Sequence, residues 1–215
     1  WRQNDIIICS PNTFIATAAS VEYCGSSLEF ADIDSETFNI CPVNLEKKIK
    51  EIKKRGKKVK AVIITDYAGQ PADWPKLRDL SRKYKFKLIN DNCHAIGSKI
   101  SNDQKYAVKY ADLVCHSYHP VKNITTGEGG SVLTNNKSLF KKISILRSHG
   151  IIKNKKQPWK YSINELGYNY RLTDIQSALG ISQLKKLKHF INRKKKIDKI
   201  YDKKFKNIDV LEIPK

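Results

Sequence analysis

Residues 60–94 read KAVIITDYAGQPADWPKLRDLSRKYKFKLINDNCH, and their pattern predicts a strand, a helix and a second strand in that order. The apolar run Lys60–Thr65 is typical of a strand that is buried on both faces. Ala72–Tyr84 repeats its apolar residues at helical spacing, which predicts an amphipathic helix. The second strand, Lys87–Ile89, leads into Asp91. Strand, helix and strand in succession form the unit from which parallel sheets are built.

The same alternation continues on both sides of this stretch. We predict further strands at Asp5–Ser10, Leu28–Ile33, Asp112–Cys115 and Gly130–Thr134, and further helices at Thr13–Tyr23, Val43–Lys54 and Ser138–Arg147. Short apolar strands that alternate with helices favour an α/β fold, with a mostly parallel sheet flanked by helices on both faces. Ligands of such sheets bind beyond the carboxyl ends of the strands, so polar residues that follow strands are the candidates for a site.

The composition excludes several classes of protein. With 215 residues, of which 40% are hydrophobic, the chain can form a core and lacks the composition of a disordered protein. No apolar run approaches the ~18 residues of a membrane-spanning helix. The five cysteines are widely spaced without a C-x-x-C pair, which argues against a disulfide framework or metal site and favours a reducing cytoplasm. Because the sequence contains no Met, we expect a fragment of a longer protein.

The net charge of +20 comes mainly from lysine, and eleven of the 22 residues in 185–206 are basic. After Arg171 the apolar residues repeat at helical spacing, so this run lies on a predicted long helix. Two interpretations are open: a solvated helix face, or a surface for nucleic acid or membrane. The solvated face is favoured, because proteins that read nucleic acids rely more on Arg than on Lys.

Two polar clusters follow predicted strands and contain ionisable residues. The first holds Asp91 and His94; taken singly, Asp91 also fits a helix cap, and His94 fits a hydrogen-bonded core residue. The second begins at Ser117 and contains Lys122, which is the one charged residue in 113–127. A lysine in such a segment is expected to be partly removed from water. Partial burial lowers the pKa of the amine, which then loses its proton more readily and can act as a nucleophile.

A third cluster, ELGYNYRLTDIQ at residues 165–176, combines a turn at Gly167 with aromatic and amide side chains. Thr173 or Asp174 is expected to cap the helix that follows. A purely structural turn is the alternative for this cluster.

Together, a carboxylate at one strand end and a lysine at another are the two protein groups that pyridoxal phosphate requires. The lysine bonds to the aldehyde of the cofactor, and the acid keeps the pyridine nitrogen protonated, so that the ring can accept electrons. Hydroxyl and backbone N–H donors around Ser117 suit its phosphate. The three clusters therefore predict a pyridoxal-phosphate site.

From Asp5 to about Phe190, the sequence resembles the DegT/DnrJ/EryC1/StrS family of sugar aminotransferases. The motifs that carry this resemblance are PNTFIAT (11–17), FADID (30–34), DNCHAIG (91–97), HPVKNITTGEGG (119–130), LRSHG (146–150) and GYNYRLTD (167–174). Within the family, DYAGQ (66–70), ELGYNYR (165–171) and ALGISQL (178–184) resemble the branch that aminates UDP-linked sugars for pseudaminic acid.

The resemblance implies a fold-type-I pyridoxal-phosphate-dependent transferase. Residues 1–180 would form part of the cofactor-binding large domain, and residues 181–215 a long helix leading toward a truncated C-terminal small domain. The family's Gly-Thr-Ser/Ala-Ala phosphate loop and most of its small domain have no counterpart in these 215 residues. We therefore expect that the chain needs further segments for activity.

The resemblance also implies roles for individual residues. Lys122 would be the catalytic lysine that bonds to the cofactor, Asp91 would pair with the pyridine nitrogen, and His94 would contact the phenolic oxygen. Ser117 would bind the cofactor phosphate.

Two further positions match cofactor-binding residues of the family. Asn169 would reach the phosphate of the cofactor in the neighbouring subunit. Phe14 would stack on the cofactor ring, and core packing is the alternative for this side chain.

The implied activity is the transfer of an amino group from L-glutamate to C4 of a UDP-4-keto-6-deoxy-N-acetylhexosamine. The implied protein is a cytoplasmic homodimer without a nucleic-acid or membrane partner. One alternative is a dehydratase of the same fold, but such enzymes replace the lysine that Lys122 supplies. The other is a Lys-rich protein that binds nucleic acid or a surface, but Tyr201 and Phe205, the aromatics of the basic stretch, occupy positions typical of a core.

Overall fold

The computed structural model describes residues 4–154, 156–157 and 159–211. Its strands are β1 (Ile6–Cys9), β2 (Ser27–Phe30), β3 (Val59–Thr65), β4 (Lys87–Asp91), β5 (Leu113–Ser117), β6 (Gly130–Leu133), β7 (Ile151–Lys153) and β8 (Tyr161–Ile163). Its α-helices are α1 (Ile15–Tyr23), α2 (Pro42–Lys54), α3 (Trp74–Tyr84), α4 (Tyr106–Tyr110), α5 (Lys137–Leu146) and α6 (Asp174–Phe205).

Six strands form one sheet in the order β2-β1-β3-β4-β5-β6. Strands β1 to β5 run parallel to their neighbours, and β6 pairs with β5 in the antiparallel sense. This arrangement confirms the predicted mostly parallel sheet. The apolar stripes of α2 and α3 explain where these helices pack, because Leu45, Ile49, Trp74 and Leu77 are all buried against the sheet.

Helices cover both faces of the sheet. Alternate residues of β1 and β3, such as Ile8 and Val62, join the larger core with α2, α3 and α4. The residues between them, such as Ile7 and Ala61, form a smaller core with Val21 of α1 on the opposite face. Asp91 follows Ile89 of that second face at a spacing of two, so its side chain emerges on the α1 side of the sheet.

Three short elements were not predicted: α4 and the hairpin strands β7 and β8, which pair with each other apart from the main sheet. They have three to five residues each, too few to show a helical or alternating period. The residues of β8 are all exposed, so its sequence carries no burial pattern.

The predicted long helix is present as α6. Thr173 caps it in a capping box with Gln176, which confirms one of the two predicted caps. The helix begins at Asp174 and runs without a break past the proposed domain division at residues 180/181. That division stays a prediction, and its outer ends, residues 1–3 and 212–215, lie outside the described part of the chain. None of the helices in the described ranges is long and apolar enough to cross a membrane.

Candidate functional site

The candidate site lies at the carboxyl edge of the sheet, where β3, β4 and β5 end side by side. Thr65, Asp91 and Cys115 are neighbours across these three strands. Ser117 is the last residue of β5. Because the strands are parallel, residues far apart in sequence meet at one edge, as the sequence analysis expected.

A chain of three hydrogen-bonded threonine hydroxyl groups leads to Asp91 from the start of α1 and the end of β3. The hydroxyl of Thr17 donates to Asp91 Oδ2 at 2.8 Å, and the hydroxyl of Thr13 donates to Thr17 Oγ1 at 2.9 Å. Thr65 Oγ1 lies 2.8 Å from Thr13 Oγ1. Since the proton of Thr13 is already used, Thr65 is the donor of this last bond. All three hydrogen bonds therefore point toward the carboxylate, and hydrogen bonds in such a chain strengthen one another.

Asp91 is not a helix cap, because a turn rather than a helix follows β4. Its Oδ1 accepts a hydrogen bond from the backbone N–H of Cys93 at 3.2 Å, which holds that turn. Among the described residues Thr17 and the backbone of Cys93 each donate to one carboxylate oxygen, and each oxygen has a further lone pair that can accept from a ligand. The alternative interpretation of Asp91 as a cap was wrong.

His94 lies in the same turn, and its ring meets the ring of Tyr67 edge-on at 6.3 Å between centroids. The Nδ1 atom is buried without a hydrogen-bond partner among the described residues. Burial lowers the pKa of His94, and the positive charges of Lys122 and Lys194 lower it further, whereas Asp91 opposes them. His94 is therefore a neutral imidazole with an open nitrogen, not the satisfied core residue of the alternative interpretation.

Lys122 lies in the loop between β5 and β6, half-buried, with its backbone N–H donating to the carbonyl of His119 at 3.0 Å. The next residue, Asn123, donates to the carbonyl oxygens of His94 and Ile96 at 3.2 and 3.0 Å. These bonds tie the Lys122 loop to the turn after Asp91. Lys122 consequently lies within electrostatic reach of both His94 and Cys93.

Two cysteines flank Asp91 without forming a reactive thiol site. Burial raises the pKa of Cys115 to about 11, and burial and the charge of Asp91 raise that of Cys93. Both thiols therefore stay protonated at neutral pH and are poor nucleophiles. The described residues contain no group of three or more His, Cys, Asp or Glu side chains that could hold a metal ion.

Ser117 and Phe14 border the same edge. The Ser117 hydroxyl accepts a bond from the backbone N–H of His119 at 3.3 Å and keeps its own proton for an anionic group. Phe14 occupies the N-cap position of α1, three residues before Thr17, and its side chain is 69% exposed. Within the described part of the chain Phe14 is therefore not packed in a core, and its ring is accessible to a ligand.

Within this chain, Asn169 lies apart from the other candidate residues. Its backbone bridges Ser148 at the end of α5, and its side chain is exposed. The adjacent rings of Tyr168 and Tyr170 stack at 4.8 Å. An exposed amide held on a fixed backbone is what the predicted contact with a neighbouring subunit requires.

The segment that carries Asn169 is fixed by two glycines in close contact. A side chain at Gly150 would begin 1.9 Å from the carbonyl oxygen of Glu165, and one at Gly167 would begin 2.2 Å from the backbone nitrogen of Gly150. Both distances are far below any van der Waals contact. Only glycine fits at these crossing points.

Several residues of the site were not predicted, namely Thr13, Thr17, Thr65, Tyr67, Asn123 and Lys194. Thr13 and Thr17 stand four apart at the start of a helix, a spacing that places two hydroxyls on one face and could have been noticed. Lys194 carries no such signal, because it is one of many lysines in the basic run.

Comparison with known proteins identifies the group to which this geometry belongs. The model of the DegT/DnrJ/EryC1/StrS aminotransferase family matches residues 2–215. A curated UDP-4-amino-4,6-dideoxy-N-acetyl-beta-L-altrosamine transaminase of Campylobacter jejuni is 42% identical over 200 residues, which are 93% of this chain and 51% of the relative.

Solved structures agree with the sequence match. Helicobacter pylori PseC, an aminotransferase involved in the biosynthesis of pseudoaminic acid, has a TM-score of 0.85 and 34% identity, over 95% of this chain and 52% of that one. A Streptococcus pneumoniae protein solved in a PLP form has a TM-score of 0.80 and 28% identity, over 95% of this chain and 54% of that one. The chain spans about half the length of these relatives. By the extent of the match and the level of identity, it belongs to the DegT/DnrJ/EryC1/StrS aminotransferase family.

Proposed function

We propose that this chain supplies the cofactor-binding part of a pyridoxal-phosphate-dependent aminotransferase. The enzyme would move an amino group from L-glutamate to C4 of a UDP-4-keto-6-deoxy-N-acetylhexosamine, releasing 2-oxoglutarate. The observation that carries the proposal is the meeting of Asp91, His94 and Lys122 at one sheet edge, with His94 Nδ1 buried and unpartnered. Similarity to the Campylobacter and Helicobacter enzymes supports the choice of substrate.

The side chains present fit pyridoxal phosphate. The unpartnered His94 Nδ1 offers a contact for the phenolic oxygen, and the free lone pairs of Asp91 offer one for the pyridine N–H. The exposed ring of Phe14 offers a stacking surface, and the unused proton of Ser117 offers a donor to the phosphate. The PLP form of the Streptococcus neighbour supports the same cofactor.

Each residue then has a defined task. Lys122 would hold the cofactor through its Nζ. Once free, the same amine would take a proton from the glutamate carbon that bears the amino group, and in the second half-reaction it would deliver a proton to C4 of the sugar. Asp91, fixed by Thr17, keeps a proton on the pyridine nitrogen. When bound, the cofactor supplies the electron sink that lets an amino group leave one carbon and join another.

We also propose a homodimer, in which Asn169 would bind the cofactor phosphate of a second subunit, as the family resemblance implies. The exposed apolar residues around it support this assembly, since Leu166 and Ile175 are 93% and 84% exposed in the single chain. We also propose that the enzyme works in the cytoplasm, where sugar nucleotides are made and the five cysteines stay free.

Isotope transfer tests the activity directly. The full-length protein is incubated with pyridoxal phosphate, [15N]glutamate and the UDP-4-keto sugar, and the sugar product is examined by mass spectrometry. We expect 15N in the 4-amino group, and a sugar that remains unlabelled would refute the proposed reaction.

Borohydride reduction followed by peptide mapping tests the lysine. The cofactor should be trapped on Lys122 and on no other lysine, and neither Lys122→Ala nor Lys122→Arg should turn over. The arginine variant fails because a guanidinium stays protonated and cannot act as a nucleophile. Trapping on a different lysine would contradict the assignment.

A further inference from the structure

Asn123 links three segments of the chain through one side-chain amide. Its nitrogen donates to the carbonyl oxygens of His94 and Ile96, and its Oδ1 accepts from the ammonium of Lys194 at 2.6 Å. The first two bonds reach the turn after β4, and the third reaches α6. The residue directly after the candidate nucleophile is therefore held from two sides.

The position of α6 explains how Lys194 reaches this amide. Leu187 and Ile191 of α6 pack on the turn at Gly97, where a side chain would begin only 2.2 Å from Ile191 Cδ1. Lys194 follows Ile191 by three residues and Leu187 by seven, so it continues the same helix face. Because α6 packs closely on Gly97, the side chain of Lys194 can reach the Lys122 loop.

The charge of Lys194 acts at the site as well as its hydrogen bond. Lys194 is among the charges that lower the pKa of His94, together with Lys122. Lys194, Lys195 and Lys196 are all exposed, but of the three only Lys194 bonds to Asn123 and acts on the pKa of His94. One lysine of the basic run is therefore distinct from the others.

We propose that Lys194 and Asn123 are positioning residues, which fix the Lys122 loop against the His94 turn and join both to α6. The inference rests on the proposed function, in which Lys122 and His94 hold the cofactor. Without the bond to Lys194, the Asn123 amide can rotate away from the two carbonyl groups. The Lys122 loop is then no longer held against the His94 turn. The long helix, which leads out of the domain, would thereby control the placement of the reacting amine.

The test compares Lys194→Met with Lys195→Met in the full-length holoenzyme. Methionine keeps a long stem and removes the charge. We expect the kcat of Lys194→Met to fall by ~10-fold, as a small misplacement of a reacting group predicts, with the KM for glutamate changed less than ~2-fold. The pH midpoint of the absorbance of the bound cofactor should move upward, because a nearby positive charge is gone. Lys195→Met should match the wild type in both measurements.

A double-mutant cycle with Asn123→Ala adds a readout that needs no cofactor. Melting temperatures of the cofactor-free single and double variants should be non-additive, as for two residues in contact. Additive effects, or equal effects of Lys194→Met and Lys195→Met, would overturn the inference. A raised KM for glutamate with unchanged kcat would also overturn it, since Lys194 would then bind substrate. If the wild-type protein does not transfer the amino group, the proposed function itself is refuted.

Discussion

Thr17→Val should weaken catalysis while leaving the fold intact. Valine has nearly the shape of threonine, but it removes the hydroxyl that donates to Asp91 Oδ2 at 2.8 Å. Thr17 is only 7% exposed, so water cannot easily replace the lost donor. A hydrogen bond to a charged group contributes ~1.5–3 kcal/mol. At ~1.36 kcal/mol for each tenfold change in rate, the expected loss is ~10- to 150-fold.

The loss should appear in kcat rather than in KM, because the proposed function assigns Asp91 to the cofactor and not to the substrate. Stopped-flow absorbance measures this in the full-length holoenzyme, as the rate at which glutamate converts the bound cofactor in a single turnover. Thr17→Ser retains the hydroxyl and should recover most of the rate.

Thr37→Val is the matched control. The Thr37 hydroxyl also donates to a carboxylate, Asp34 Oδ1 at 3.1 Å, but outside the candidate site. This variant should turn over at the wild-type rate. The argument fails if Thr17→Val stays within ~2-fold of wild type, or if both variants slow equally, since the hydroxyl chain would then have no specific effect on Asp91.

Three further predictions concern Asp91, His94 and Gly150. Asp91→Asn should still take up cofactor, measured by absorbance, but should transaminate at least ~100-fold more slowly, because the amide cannot hold the pyridinium charge; unchanged turnover would refute the role. His94 has a lowered pKa, so the folded state binds its proton more weakly than the unfolded state, and stability is lost as pH falls below the ordinary value of 6.5. The melting temperature of His94→Gln should therefore fall less than that of the wild type between pH 7.5 and 5.5, and an equal fall would contradict this. Gly150→Ala should destabilise or unfold the protein in thermal melts, given the 1.9 Å approach to the carbonyl of Glu165, whereas Gly25→Ala, with open space around it, should have a smaller effect.

The sheet could be predicted because burial leaves a pattern in the sequence. A strand that is buried on both faces, such as Val59–Thr65, is a short continuous apolar run, and an amphipathic helix such as Trp74–Tyr84 repeats its apolar residues at helical spacing. Asp91 and Lys122 could be found because Asp91 ends a strand and Lys122 lies in the loop after the next one, and the parallel order brings strand ends together.

The contacts that support the site could not be predicted in the same way. Thr17 and Asp91 are 74 residues apart, and Asn123 and Lys194 are 71 apart. Hydrogen bonds over such separations depend on how elements pack in three dimensions, and a single polar side chain leaves no period in the sequence. The same reasoning applies to β7 and β8, which contain no buried residue and therefore show no burial pattern in the sequence.

The contact between Gly150 and Gly167 separates the segment that carries Asn169 from the hairpin of β7 and β8. Asn169 is placed by backbone hydrogen bonds on one side of the crossing, where Tyr168 and Tyr170 pair with the end of α5. The hairpin of β7 and β8 lies on the other side and, among the described residues, its strands pair with each other and not with the main sheet. Insertions between β7 and β8 should therefore leave Asn169 in place, which makes the hairpin a suitable position for a reporter peptide. Among distant relatives, the two glycines should serve as alignment anchors even where the loop between them differs in length.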